Sequence, residues 1–425
     1  MLEKFVRFIN HSPTVYHAAR EIGVRLAEAD FTPLTERERW NLEPGKGYFV
    51  MREDTLLAAF RLPVKKPTNS VLLASHIDSP ALKIKPQAEI SSQGIGQFGT
   101  EVYGGPILHT WFDRDLSLGG RIVVLDKNGQ CESKFVLLDD YPMIIPSVAI
   151  HLNREVNEKG LIINKQDHLR AVYSIQHKDQ HLEDLLRKQH PFQKLLSFDL
   201  FLIPVEKAAF NGYEDELISS YRLDNLTSAF AGLEALLQTK ARKETIQMSI
   251  FWDHEEIGSK TYAGADSLFV NELFERICTS YKMDREDYYR LKSSSLCISA
   301  DVGHAFHPNY SDKNDPQNTP VMGKGPIVKF SSKYATSGAT AAPIVRLAEK
   351  RKIPLQTSAS RSDLSSGSTV GAMMGANPGI PTVDIGIACW AMHSIRETIS
   401  GQDELWLCDL LKAALEEPLI HPEEL

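Results

Sequence analysis

Apolar and polar positions fall into two textures along this chain. Residues 2–29 carry apolar side chains at helical spacing. Ser12-Pro13-Thr14 interrupts them, which predicts two helices with a polar cap at the break. SVLLASHID (70–78) is a short apolar run that closes in polar residues, the pattern of a buried strand. From about residue 86 to 220 the runs shorten. EVYGG (101–105), RIVVLDKNGQ (121–130) and KFVLL (134–138) read as strands between turns, with Lys127-Asn128-Gly129 as a hairpin signal. A charged helical piece, DQHLEDLLRKQH (179–190), interrupts them.

After Tyr221 strand and helix patterns alternate. LTSAFAGLEALLQT (226–239), ATAAPIVRLAEKRK (339–352) and DELWLCDLLKAALEE (403–417) read as helices. TIQMSIFWD (245–253), SLCISADVG (295–303) and PTVDIGIA (381–388) read as strands. Such alternation predicts a mostly parallel sheet covered on both faces, here split in sequence by a β-rich insert. The chain is long enough, at 425 residues, for a large core or two.

Composition narrows the class. The formal net charge of -8 leaves no basic excess to meet phosphates, so no nucleic-acid partner is expected. An acidic substrate remains compatible, because a local cationic pocket can sit in an acidic protein. The five cysteines are scattered and odd in number, which suits a reducing compartment and a cytoplasmic location. MLEKFVRFINHS holds no apolar stretch beside a cleavage site, so no signal peptide is expected. No apolar run is long enough for a membrane span.

In an α/β sheet, chemistry gathers where strands end at their carboxyl edge. SVLLASHID delivers His76 and Asp78 there. TIQMSIFWDHEE delivers Glu255 and Glu256, SLCISAD delivers Asp301 with His304 beyond, and His393 follows PTVDIGIA. Asp224, in RLDN, precedes a helix. Singly, each has a plain structural reading: Asp224 as a helix cap, Asp301 as a turn cap, His393 as an interior histidine. Together, His76, Asp224, Glu256, Asp301 and His393 offer two imidazoles and three carboxylates, the usual ligands of catalytic zinc. A dinuclear site needs a bridging carboxylate, and two divalent ions against three carboxylates leave positive charge for a hydroxide and a developing oxyanion. Glu255, left over beside a ligand, suits a general base. Asp78 could accept the far imidazole N–H of His76.

SHIDSPALKIKP, YGGPILHTWFDRDLSLGGR, IHLNREVNE, RLDNLTSAFAGLEAL, DHEEIGS, SADVGHAFHPNY, RSDLSSGSTVG and DIGIACWAMHSIRE run in order over nearly the whole chain. They closely resemble the aspartyl aminopeptidase family of dinuclear zinc peptidases, bacterial members above all. The resemblance implies a zinc-peptidase-like α/β domain with a mixed sheet flanked by helices, over residues 1–88 and 222–425. It implies a β-rich dimerisation domain over 89–221, and a tetrahedral dodecamer. By the same likeness Asp224 bridges two zinc ions, His76 and Asp301 complete one site, and Glu256 and His393 the other. Cobalt or manganese could replace zinc at such N/O sites. Glu255 is the implied base. His151, in IHLNR, resembles a histidine that reaches a neighbouring subunit's site or ligates metal.

Peptides with a free N-terminus are the implied substrates, with Asp or Glu first; a preference for neutral first residues, found among relatives, is the alternative. Lys329, in PIVKF, is the implied pocket cation, although a lysine there also reads as a surface residue on a strand. GSTVG (367–371) matches a family loop, and His304 sits beside the implied ligands. Thr227, Ser365, Ser366 and Lys333 depart from the family pattern without touching those ligands. Two other functions fit the same scaffold: a carboxypeptidase or deacylase, separable by blocked substrates, and a non-catalytic shell, separable by any peptidase assay.

Overall fold

A computed structural model describes residues 1–176, 181–364 and 367–419. Nine strands form one mixed sheet. Their order is Thr32–Leu34, Gly47–Arg52, Leu56–Arg61, Thr245–Trp252, Asn69–His76, Leu296–Ala300, Thr382–Gly386, Ile327–Phe330 and Gln356–Ala359. The four strands from Thr245–Trp252 to Thr382–Gly386 run parallel. Gly47–Arg52 and Leu56–Arg61 form an antiparallel hairpin, because a three-residue connection cannot reverse into a parallel pair. Ile327–Phe330 also runs antiparallel to its neighbour Thr382–Gly386.

Alternate side chains of each strand enter opposite layers. Leu57, Ala59, Val71 and Leu73 pack in a core with the helices Leu2–His11, Val15–Glu28, Leu223–Gln238, Gly338–Arg351 and Gly401–Glu416. Leu56, Ala58, Leu72, Ala74 and Met248 pack instead with Phe269–Ser280, Arg285–Ser293 and Val370–Ala376. Burial on both faces is why these strands read as unbroken apolar runs; all eight residues of Thr245–Trp252 are buried. Each large aliphatic side chain so placed contributes roughly 1.5–3 kcal/mol.

The predicted helix break is at Ser12–Thr14, with helices on either side ending at His11 and resuming at Val15. The β-rich stretch forms its own antiparallel sheet of six strands between Ala81 and Pro204, around a separate core that includes Phe98, Trp111, Ile122 and Leu200. Its hairpin turns at Asp126–Gly129. The Asp126 carboxylate accepts the N–H groups of Asn128 and Gln130 at 2.8 Å each, and Gly129 has φ 76°. The charged helix spans Leu182–Gln189; residues 179 and 180 of the predicted segment lie outside the described residues.

A third sheet joins the two parts. Its order is Ala209–Asn211, Leu217–Ser220, Glu397–Ser400, Ala388–Trp390 and Gly303–His304. No helix among the described residues is long and apolar enough to cross a membrane, and none of the five thiols is in a disulfide.

Candidate metal centre

Register makes the central strands end level. Trp252 lies opposite His76, Ser299 opposite Ala74, and Ala300 opposite Ile385. The chain therefore leaves the sheet at His76, Asp253 and Asp301 along one edge. His254, at φ 63°, then turns the chain into a single 3-10 turn over Glu255–Ile257, which brings both glutamates back across that edge. Asp224 lies just beyond the third sheet, in the turn from Leu217–Ser220 into the helix Leu223–Gln238. After Leu217–Ser220, Arg222 has φ 67°, and Asp224 and Asn225 keep non-helical angles before the helix proper; their peptide bond is cis. The Arg222 guanidinium donates to the Ile77 carbonyl, and the Ser79 hydroxyl donates to the Asp224 carbonyl at 2.7 Å. Asp224 thus stands with its carboxylate free rather than capping the helix.

The two carboxylate oxygens of Asp224 face different imidazoles. Oδ1 is 3.3 Å from His76 Nε2, and Oδ2 is 3.2 Å from His393 Nε2. His76 Nε2 is also 3.6 Å from Asp301 Oδ1, and His393 Nε2 is 3.5 Å from Glu256 Oε2. Ligand atoms of His76, Asp224 and Asp301 all lie within 4.8 Å of one another, and so do those of Asp224, Glu256 and His393. A third such group is His76, Glu255 and Glu256. Asp224 Oδ1 and Glu256 Oε1 are buried and accept no hydrogen bond among the described residues, the approach of His76 notwithstanding. Buried polar atoms almost always have partners. Orphaned carboxylate oxygens beside imidazole nitrogens are what a divalent cation with N/O ligands would satisfy, so these residues fit zinc.

Charge leads to the same view. Burial pushes Glu255 up to about 8, with Asp301, Asp78 and Asp224 adding repulsion against the pull of His76. Burial and then Asp224 drive Glu256 well above the carboxylate range. Burial would also raise Asp224, but His393 and His76 outweigh it and hold its carboxyl well below the usual value. Burial opposes a charge on His76; Asp224, Asp301 and Asp78 overcome it and raise it well above an ordinary imidazole. His393 likewise rises against burial to about 9, through Asp224 and Glu397. The imidazoles carry the countercharge of the cluster when no cation is bound, and cation binding would displace those protons.

His76, Asp224, Glu255, Glu256, Asp301, His304, Lys329 and His393 all line one cavity of about 530 Å³. Lys329 is not a surface lysine. It is 2% exposed, with Nζ 3.5 Å from Asp301 Oδ2 and 3.1 Å from the Val302 carbonyl, over the Tyr334 ring. Its strand, Ile327–Phe330, is interior to the sheet, which turns the stem inward. Burial would discharge it, but Asp301 and Tyr334 hold it charged. Gly367, Ser368 and Thr369 also line the cavity, while Ser365 and Ser366 lie outside the described residues. His151 does not join this group: it is exposed, in the long connection that follows Cys131–Leu137.

Asp78 lies behind His76. Its main-chain oxygen is 3.1 Å from His76 Nδ1 and its Oδ1 is 3.4 Å away, so the carbonyl is the closer partner. The carboxylate also accepts the Glu255 N–H at 3.1 Å, the Glu256 N–H at 3.1 Å and the Tyr103 hydroxyl at 2.7 Å. One acid thereby ties the His76 strand end to the Glu255–Glu256 turn.

Sequence reasoning passed over Glu397, buried at 1% exposure. Its Oε2 accepts the Asp224 N–H at 2.9 Å and its Oε1 accepts the His393 N–H at 2.6 Å. It stands four residues beyond His393 at the start of a strand, and that spacing was the available signal. Asp384, also unremarked, is fully buried and accepts from the Thr369 hydroxyl at 2.5 Å and the Ala335 N–H at 2.8 Å, holding two cavity segments.

A three-layered α/β sheet whose strand ends gather imidazoles and carboxylates around shared, orphaned oxygens is the scaffold of a metallopeptidase. Comparison with known proteins gives the family. A model of the Aminopeptidase I zinc metalloprotease (M18) family matches residues 8–414. The probable M18 family aminopeptidase 2 of Pseudomonas syringae pv. syringae is 38% identical over 420 residues, 96% of each chain. Among solved structures, a chain in the cryo-EM structure of the Ape4 and Nbr1 complex superposes with TM-score 0.92 at 32% identity, over 97% of this chain and 84% of that one. The S. cerevisiae mApe1 dodecamer superposes with TM-score 0.85 at 25% identity, over 97% and 95%. The chain belongs to the M18 aminopeptidases, a family of zinc metalloproteases.

Proposed function

We propose that this protein is a dinuclear-zinc aminopeptidase that removes N-terminal Asp or Glu from peptides. The observation that carries the reading is the double presentation of Asp224, one carboxylate oxygen toward His76 and the other toward His393. His76 and Asp301 would complete one ion's ligands, and Glu256 and His393 the other's; cobalt or manganese would also suit this N/O set. When bound, the ions would polarise the scissile carbonyl and make water acidic enough to be a nucleophile at neutral pH.

The chain's own groups do the rest. Glu255 takes one proton from the attacking water and returns it to the departing amine as the peptide bond breaks. Asp78 holds the His76 ring and, through two N–H groups, the backbone that carries Glu255. Lys329 offers a desolvated cation to the first side chain of the peptide, which favours a carboxylate there. The free α-amino group is drawn to the acidic lining.

The division into a catalytic part (residues 1–88 and 222–425) and a dimerisation part (89–221) belongs to the same reading. So does a tetrahedral dodecamer, by analogy with the mApe1 assembly, in which the exposed His151 would reach a neighbour's cavity. Val148, Ile150, Leu152 and Ile162 are exposed in the same stretch, between the strands Cys131–Leu137 and Ala171–Ser174, which supports burial against another copy. A cytoplasmic setting suits five unpaired thiols.

The test is a rate profile over Asp-, Glu-, Leu- and Ala-naphthylamides, before and after chelation and zinc return, with Glu255→Gln alongside. Highest rates on Asp and Glu, loss with chelation, recovery with zinc, and a dead but zinc-loaded Gln variant are expected. Equal rates on Leu would overturn the specificity, and near-normal turnover by the variant would overturn the base.

A further inference from the structure

Glu397 begins the strand Glu397–Ser400, which lies between Leu217–Ser220 and Ala388–Trp390 in the third sheet. Ser220 is its partner in register on one side. The chain leaves that neighbour to reach Asp224, and leaves the other neighbour to reach His393. The Glu397 carboxylate spans the gap between the two turns. One oxygen takes the Asp224 N–H and the other the His393 N–H, at 2.9 and 2.6 Å. No side chain of either ligand is involved, so the contact acts on the backbones that carry them.

The local backbones need such a tie. His393 has φ 68°, a left-handed conformation that non-glycine residues adopt uncommonly, and Asp224 follows Arg222 at φ 67° in a stretch of non-helical angles. His393 Nε2 lies 3.2 Å from Asp224 Oδ2, with the far ring nitrogen 3.0 Å from the Gly105 carbonyl, so the ring is held there while Glu397 holds the two main chains. His76, by contrast, ends a buried strand that pairs along its whole length with Thr245–Trp252 and over Val71–Ala74 with Leu296–Ala300.

Resting on the dinuclear reading, we infer that Glu397 is a positioning residue that sets the spacing between Asp224 and His393. It thereby governs occupancy of the Asp224–Glu256–His393 site more than that of the His76–Asp224–Asp301 site. The role requires two acceptor oxygens on one side chain. Glutamine has one, and its NH₂ would face an N–H; aspartate keeps both oxygens but has a shorter reach.

The experiment is zinc titration of the full-length wild type, Glu397→Gln and Glu397→Asp by chelator competition, with circular dichroism as the check on folding. For the wild type, two tight ions per chain are expected. In Glu397→Gln, one ion should bind as before and the second about 10–100-fold more weakly, the usual effect of losing a group that orients a ligand. Glu397→Asp should show the same asymmetry to a smaller degree. Two wild-type affinities in folded Glu397→Gln would overturn the inference, as would equal weakening of both sites. If Glu397→Gln does not fold, the Asp variant decides by the same criterion, and loss of folding in both makes the residue a general structural one and overturns the inference. A wild type that binds one ion or none would overturn the dinuclear reading itself, an outcome distinct from the others.

Discussion

Replacing Asp78 by Asn tests how the site is held, and its cost can be worked from contacts. Oδ1 faces the Glu255 N–H and His76 Nδ1, while Oδ2 accepts the Glu256 N–H and the Tyr103 hydroxyl. An amide has one acceptor oxygen. With its NH₂ toward Oδ1, both a backbone N–H and the imidazole lose their carboxylate partner. With its NH₂ toward Oδ2, the Tyr103 hydroxyl can turn and accept, so only the Glu256 N–H is orphaned. The second arrangement is the cheaper one. One buried donor left without a partner costs about 1–3 kcal/mol. Removing the anionic partner of His76 also weakens its hold on a cation, by about 10–100-fold in metal affinity or activity. Asp78→Asn should therefore lower the thermal midpoint and reduce kcat/KM and zinc affinity together, as measured by scanning calorimetry, a peptide assay and chelator competition. A variant with wild-type midpoint and kcat/KM within twofold of wild type would refute the reasoning.

Further outcomes follow from other residues. Lys329→Met should cut the rate on Asp- and Glu-substrates at least tenfold relative to Leu-substrates, since one charge-assisted hydrogen bond is worth about 1.5–3 kcal/mol; a side-by-side kcat/KM comparison checks this, and an unchanged ratio refutes it. Gly386→Ala should destabilise the fold and weaken the His76–Asp301 site, because a Cβ at Gly386 would lie 1.7 Å from the Asp301 carbonyl oxygen; thermal melting and zinc content are the readouts. His17 is held neutral: burial pushes it down to about 4, with Arg222 and Arg20 contributing. The stability this gives is complete above about pH 6.5 and is lost as pH falls from there toward 4, by about 3 kcal/mol at most. His17→Gln should lose less of its thermal midpoint between pH 7.5 and 5 than the wild type does, and equal losses would contradict the assignment.

Much of this architecture is visible in the amino-acid order, for reasons that can be named. Runs such as TIQMSIFW stand out because both sheet faces are covered, and the acids and imidazoles that follow them stand out against that apolar background. The hairpin Gly47–Arg52 and Leu56–Arg61 does not announce itself. Its turn uses Glu53 and Asp54 at φ 56° and 62°, positions that Asn and Gly usually mark. Glu397 is hidden for another reason: it acts on main-chain N–H groups, which every residue possesses, so its spacing of four residues from His393 is the one trace of the pairing in the sequence. Lys329 shows the limit of composition rules. Only its place inside the sheet, beside Asp301, makes a buried cation intelligible. His151 remains apart from the cavity within a single chain, so any part it plays depends on a second copy.

The most direct measurement is an anomalous difference map at the zinc edge from crystals grown with zinc. Two peaks per chain are expected, one on each side of the Asp224 carboxylate, the first about 2.0–2.1 Å from His76 Nε2 and the second as far from His393 Nε2. A single peak, or none between His76 and His393, would contradict it.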